Sequence, residues 1–272
     1  MRTDMSEEDA SLIWLRGFLA GRIGVIVPED RPDFIPSRLS GMLRQYQLNN
    51  LSALVAQIRG GNHSLLAVMI DVLTTHETSF FRDPDVYAWL ETDSLPALVR
   101  QAAGREMVIW SAACSTGQEA LSVGILLMEG WPSQNFRILG SDISPGTVDR
   151  ARTGVYPLLE VNRGLSARRL MRWFARHGAD YKVVPELASK IQFHVHNLLD
   201  KGWPTQTVDM VLLRNVMIYL GTSDREQVFR NLAAAMRPGS IVVLGTAEAL
   251  IDPPPGLFRR ERSAKSNWLI RT

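Results

Sequence analysis

One cysteine, Cys114, stands in a chain of 272 residues. That excludes an internal disulfide and any zinc cage built on cysteines, and it fits a reducing compartment. Charge of one sign is not in excess: 30 Lys+Arg face 28 Asp+Glu, a net charge of +2. This balance excludes a nucleic-acid footprint over the whole surface and leaves room only for a local basic patch. No apolar run approaches the roughly 20 residues that a membrane span needs. The opening MRTDMSEEDASLIWL turns acidic where a secretory leader carries a basic flank and an apolar stretch. Repeats and low-complexity tracts are missing. The expectation is a cytoplasmic protein without membrane insertion, monomeric by default.

What is present falls into regions of different grammar. Hydrophobic residues at 46% and charged residues at 21% suffice for a full core. Residues 1–75 read as an all-α unit. SEEDASLIWLRGFLAG opens on a capping box, Ser6 with Asp9, and is expected to close at Gly21. PSRLSGMLRQYQL starts at Pro36 and sets Leu39, Met42, Leu43 and Tyr46 on one face. NNLSALVAQIRGG repeats the spacing with Leu51, Leu54, Val55 and Ile58, then stops at Gly60-Gly61. HSLLAVMIDVLTT supplies a fourth helix, with Leu65, Leu66, Met69, Val72 and Leu73 inward. Residues 76–104 begin with a polar, aromatic and cationic string, HETSFFRD, and lead into residues 105–272.

That last region contains MVIWSAA, FRILGSD, IQFHVHN, VDMVLLRN and SIVVLGT, short apolar runs rich in Val and Ile. Helical stretches at 118–129, 145–152 and 223–236 lie between several of them. Buried strands alternating with helices predict an α/β fold with a parallel sheet. GLFRRERSAKSNWLIRT predicts a closing antiparallel pair. Residues 154–190 are too long for one simple crossover. They hold a basic helix, SARRLMRWFARHG, and a short strand, DYKVV, and read as an inserted subdomain.

Ligands of open α/β sheets bind beyond the carboxyl ends of the strands. After the first strand comes SAACSTGQEALSVG, whose small residues let a ligand approach the backbone before Glu119 starts a helix. This is neither the G-x-G-x-x-G dinucleotide fingerprint nor a P-loop, which argues against NAD and ATP. Asp142 ends the second strand, where an acid can accept hydrogen bonds from both ribose hydroxyls. Asn197-Leu198 follow the third, an amide for an adenine edge beside an apolar neighbour. A ribose-binding acid without a diphosphate site points to a nucleoside cofactor lacking a diphosphate, and S-adenosylmethionine is the common one.

TTHETSFFRD, WSAACSTGQE, ILGSDISPGTVDRARTGVY, NLLD, LLRNVMIYL and VLGTAEAL, in that order, resemble the chemotaxis receptor methyltransferases, the CheR family. GRIGVIVPED and SRLSGML extend the resemblance into the helical unit. It implies a class I S-adenosylmethionine-dependent methyltransferase (Rossmann-like) domain with an inserted small β-subdomain, preceded by an all-α N-terminal domain. It implies methyl transfer to glutamate side chains on the cytoplasmic helices of chemoreceptors, giving glutamyl methyl esters and S-adenosylhomocysteine. The inserted subdomain would carry any docking of a receptor C-terminal peptide. The implied cofactor residues are His76, Thr78, Arg82, Glu119, Asp142, Asn197, Leu198, Leu213 and Arg214, with residues 76–104 contributing to the site. Arg82 and Tyr219 are implied to lie close to the chemistry. The sequence departs from the family where His76 replaces Asn, where STGQEALS replaces STGEEPYS, and where GTAE replaces GHSE.

Glutamate esterification needs alignment and partial desolvation rather than a strong base, because the carboxylate is already ionised near pH 7. An arginine grips a carboxylate in two places. For Arg82 that carboxylate is the cofactor's methionyl end or the substrate glutamate, the former favoured. Tyr219 would orient the attacking oxygen. Plainer roles compete. Phe80 and Phe81 would dock the helical unit on the sheet, and Arg82 with Asp83 would form a surface ion pair. Glu119 would charge a helix start, Asp142 would cap the helix near Ser144, and Tyr219 would be buried. His194 and His196 read as structural rather than metal ligands, and Cys114 as buried and inert. Arg168, Arg169, Arg172 and Arg176 read as a solvated face. Two other functions compete as well: a methyltransferase of this fold acting on a small molecule or RNA, and a catalytically decayed cofactor-binding scaffold or sensor.

Overall fold

The structure, a computed structural model, describes residues 6–27, 30–263 and 266–272. Four helices come first: α1 (Glu7–Ile23), α2 (Phe34–Gln45), α3 (Leu51–Arg59) and α4 (His63–Leu73). The capping box of α1 forms, with Ser6 accepting from the Asp9 amide and Asp9 from the Ser6 amide. Its end differs from expectation. The helix passes Gly21 and closes at Gly24, which takes the left-handed conformation at φ 72°. Helix α2 starts at Phe34, ahead of Pro36, and Tyr46 falls outside it, 42% exposed. In α3 all four expected residues are buried. In α4, Ile70 is buried while Leu66 and Val72 are only partly covered. These helices share a core of their own, including Leu15, Leu39, Leu54 and Met69.

A connecting segment then leads into α5 (Pro84–Trp89), a π-helical turn (Leu90–Ser94) and α6 (Leu95–Ala102). Pro96 has no N–H to give to the preceding turn, and the wide turn absorbs the mismatch, the Leu95 amide reaching Leu90 O. The strands are β1 (Met107–Ala112), β2 (Phe136–Asp142), β3 (Val155–Tyr156), β4 (Phe174–His177), β5 (Asp180–Val183), β6 (Ile191–Val195), β7 (Val208–Leu213), β8 (Met236–Leu244), β9 (Phe258–Arg262) and β10 (Asn267–Arg271). Helices α7 (Gln118–Gly130) and α8 (Pro145–Thr153) follow β1 and β2.

Seven strands form one sheet in the order β6-β2-β1-β7-β8-β10-β9. The first five run parallel, and β10 pairs antiparallel with β8 and β9. The order reverses at β1, between β2 and β7, and that reversal opens a crevice at the strand ends. Both faces are covered. Ile109, Met210 and Leu212 face one core, with α5, α6 and α7; Trp110, Val211 and Leu213 face the other, with the helix Thr222–Ala235. Among the described residues no helix is long and apolar enough to cross a membrane.

Strands β3, β5 and β4 make a separate antiparallel sheet. Here the expected helix SARRLMRWFARHG stops at Trp173, and Phe174–His177 is strand instead. The reason is a hairpin: Gly178 at φ 63° turns the chain so that His177 pairs with Asp180. Arg169 does not sit on a solvated face. It bonds Glu129 and lies 4.3 Å over the Phe81 ring. Arg172 pairs with Glu186 at 3.6 Å, and Arg176 covers Tyr181.

Phe80 and Phe81 pack as core residues, but not against the helical unit. Phe80 meets Tyr156 and Phe174 of the small sheet edge-on, and Phe81 meets Tyr87. The contact is close enough to require glycine at 164. At its φ of 104°, a Cβ would stand 1.8 Å from Phe80 O. Gly164→Ala is therefore expected to destabilise the protein by at least ~2 kcal/mol in denaturant titration.

Candidate active site at the strand ends

Parallel register brings the ends of β1, β2 and β7 side by side, Ala112 lying next to both Ser141 and Leu213. Beyond them is a cavity of about 450 Å³, within the size range of small-molecule sites. Its floor is Ala113, Cys114 and Ser115 from the β1 turn, with Asp142, Ile143 and the 196–199 and 214–220 segments around it. The helical unit forms the far wall through Ile23, Val25, Ile26, Val27, Phe34 and Arg38. Val25 makes an antiparallel bridge to Leu220, and the Ile26 amide donates to Tyr219 O at 3.0 Å, so this wall is tied to the sheet by its backbone.

The β1 turn is bent sharply, with Ala113 at φ 62°, Ser115 at 49° and Gly117 at 93°. The Cys114 amide donates to Ser141 O, the Ser115 amide to Asp142 Oδ2 and the Tyr156 hydroxyl to Thr116 O, each at 2.8 Å. Gly117 does not open space for a ligand: a Cβ there would lie 2.8 Å from the Phe193 ring. Cys114 is buried, and burial, with Asp142 and Glu119 nearby, pushes its thiol well above the ordinary range. It is held as a thiol, consistent with an inert residue.

Asp142 is buried, 7% exposed, and its two oxygens accept the amides of Ser115 and Ser144. Each keeps a free lone pair. Ser144, not Asp142, caps α8 by accepting from the Thr147 amide. Glu119 does more than charge a helix start: Ser111 Oγ donates to Oε1 at 2.7 Å and Arg214 Nη1 to Oε2 at 2.9 Å. Arg214 also donates Nη2 to Asp83 Oδ2 and to Arg82 O, both at 2.7 Å. Its side chain is only 2% exposed. Burial opposes its charge, but Glu119, Tyr87 and Asp83 more than offset this and hold its pKa above the usual arginine value.

Asp83 is thus taken by Arg214, and the expected Arg82–Asp83 pair does not form. Arg82 Nη1 donates to Glu77 O at 2.8 Å. Among the described residues no carboxylate lies within ion-pair distance of it, and its side chain lines the cavity. His76 also lines it. Its Nε2 is 2.8 Å from Asp71 O and 3.0 Å from Thr74 Oγ1, whose own proton goes to Ile70 O. A carbonyl only accepts, so Nε2 carries a proton. Thr78 lines the cavity as well.

Asn197 and Leu198 reach the cavity, but the amide is already in use: Nδ2 donates to Arg22 O at 2.8 Å, and Oδ1 accepts from the Leu199 amide. Each end retains capacity for one more bond. Leu213 does not reach the cavity. Strand alternation turns it into the core behind the sheet, fully buried beside Val211 and Trp110. Asn215, passed over in the sequence, does line it and takes φ 60°. A polar residue tolerant of the left-handed region, just past a strand end, was the available signal. Ser115 and the 23–27 wall were missed because small and apolar residues carry no chemical signature. Tyr219 is 40% exposed on the cavity wall, not buried. Among the described residues no group of three metal-ligating side chains occurs. His194 lies 5.5 Å and His196 4.8 Å from the Trp203 ring.

Residues 76–265 match the family model described as CheR methyltransferase, SAM binding domain. The chain belongs to the CheR family. Chemotaxis protein methyltransferase 1 of Pseudomonas aeruginosa is 32% identical over 257 residues, covering 92% of this chain and 94% of that one. Chemotaxis protein methyltransferase Cher2 of Pseudomonas putida is 32% identical over 261 residues with the same coverage, and the Salmonella typhimurium chemotaxis protein methyltransferase is 30% identical over 237. Among solved structures, magnesium protoporphyrin IX methyltransferase of Synechocystis aligns at a TM-score of 0.39 and 15% identity, too distant to add to this. The CheR match begins at His76, on the cavity wall, and it makes S-adenosylmethionine the cofactor. The donor set fits that molecule: an acceptor carboxylate at Asp142 for a ribose, apolar Ile143 and Leu198 for a base, and an uncommitted cation at Arg82 for a carboxylate.

Two substitutions separate cavity from core. Arg82→Ala is expected to weaken S-adenosylhomocysteine binding by roughly tenfold or more, with the melting temperature little changed. Leu213→Ala is expected to cost about 2–5 kcal/mol of stability while the folded protein keeps its affinity. Calorimetric titration beside thermal melting reads both.

Proposed function

We propose that this CheR-family protein transfers a methyl group from S-adenosylmethionine to glutamate side chains on the cytoplasmic helices of chemoreceptors, forming glutamyl methyl esters. Arg82 carries the reading, as a cavity-lining guanidinium without a carboxylate partner, beside a half-exposed Tyr219 at the same cavity. The names of the relatives, chemotaxis protein methyltransferases, support the same pathway. When bound, the cofactor supplies an electrophilic methyl on a sulfonium. The protein's task is to align and desolvate. Arg82 holds the cofactor's methionyl carboxylate, Asp142 the ribose, and Asn197 and Leu198 the adenine. Glu119 and Arg214, locked together, support the wall next to Arg82. Tyr219 turns its hydroxyl to the incoming glutamate oxygen, which is ionised and needs no base. His76 and Thr78 complete the grip on the cofactor.

The division of labour follows. Residues 1–75 close the cavity, residues 76–104 bring Arg82 to it, and residues 105–272 hold the cofactor. The insert at 154–190 docks a receptor C-terminal peptide. The protein acts in the cytoplasm as a monomer, on a protein rather than on RNA. The decayed-scaffold reading loses its main support, because the altered residues of the STGQEALS motif, Gln118, Ala120 and Leu121, are buried and do not line the cavity. Gln118 is buried against Thr116 and Glu160, donating Nε2 to Glu160 at 3.0 Å. An acid there would face a second acid, which an amide avoids.

Incubation with methyl-labelled S-adenosylmethionine and chemoreceptor-containing membranes is expected to give base-labile label on the receptors. Cofactor binding with no label on any of several receptors would sink the reading and favour the scaffold.

A further inference from the structure

Glu248 lies in the short 3-10 turn Thr246–Glu248 after β8. It is fully buried, 0% exposed, and does not line the cavity. Its Oε1 accepts the Val216 amide at 2.9 Å, while Oε2 is buried without a hydrogen-bond partner. Burying a carboxyl group this way costs free energy. Burial pushes its pKa up, opposed by the amides of Asn215, Val216 and its own residue and by the Arg214 guanidinium.

The turn it touches is the one that shapes the cavity. Arg214 holds Glu119, Asp83 and the Arg82 carbonyl. Asn215 lines the cavity at φ 60°, in the left-handed region that asparagine tolerates better than most non-glycine residues. Gly245 leaves room for the carboxyl group. Its backbone is ordinary, at φ −72°, yet a Cβ there would lie 2.4 Å from Glu248 Oε2 and 3.2 Å from the Asn215 nitrogen.

We propose that Glu248 is a positioning residue for cofactor binding, holding the 214–216 turn through the Val216 amide so that Arg214 and Asn215 keep their places at the cavity. The proposal rests on the cavity being the S-adenosylmethionine site. It is tested by titrating S-adenosylhomocysteine into wild type, Glu248→Gln, Glu248→Ala and Gly245→Ala, at a temperature where circular dichroism shows each folded. Glu248→Gln keeps an acceptor for Val216 and is expected to stay within about threefold of wild type, whereas Glu248→Ala and Gly245→Ala lose about tenfold. Should Glu248→Ala not fold, Gly245→Ala decides, since its backbone accepts alanine. Wild-type affinity in a folded Glu248→Ala or Gly245→Ala overturns the inference alone, as does a Gln variant as weak as the Ala variant. Failure of the wild type to bind overturns the site reading and the inference together.

Discussion

The site depends on one buried charge. Arg214 is a guanidinium almost closed off from water, and burying such a charge is costly unless carboxylates and carbonyls compensate it. Glu119, Asp83 and the Arg82 carbonyl pair its two Nη nitrogens, while Nε stays buried without a partner, and they join segments 95, 131 and 132 residues apart in the chain. This clamp welds the 76–83 segment to the first helix after β1. It also decides the state of its neighbour: with Asp83 committed to Arg214, Arg82 is left free to meet an anion.

Strain accumulates around the same place. Seven described residues other than glycine have positive φ, and Phe81, Asp83, Ala113, Ser115 and Asn215 are five of them. Ala113, Ser115 and Asn215 line the cavity, and Phe81 and Asp83 flank Arg82. Strained backbone persists where surrounding bonds over-determine it. Here the Phe81 amide is held by Ser122 Oγ, the Ser115 amide by Asp142, and the Val216 amide by Glu248.

Departures from the family pattern make sense in this setting. Gln118 sits in a polar contact beneath the β1 turn, where neutrality suits the neighbouring Glu160. His76 keeps a hydrogen-bonding role, with its Nε2 proton given to the Asp71 carbonyl.

The α/β class and the four N-terminal helices were legible in the sequence alone, as was the expectation that a ligand cavity lies at the strand ends. Binary patterning is a local property, so residues such as Leu51, Leu54, Val55 and Ile58 announce their own burial. Nine of the ten named site residues lie on the cavity, because motif residues at strand ends have few other places to go. Tertiary structure decided what no local pattern contains. Leu213 and Arg214 are adjacent, yet alternation across a sheet of unknown facing sends one to the core and the other to the clamp. Asp83 leaves its neighbour for a partner 131 residues away. The FARH segment becomes strand because a hairpin partner outweighs its helical periodicity. For Arg214 and Asp83 the deciding partner lies far along the chain, for FARH it is the neighbouring strand Asp180–Val183, and in each case only folding brings it within bonding distance.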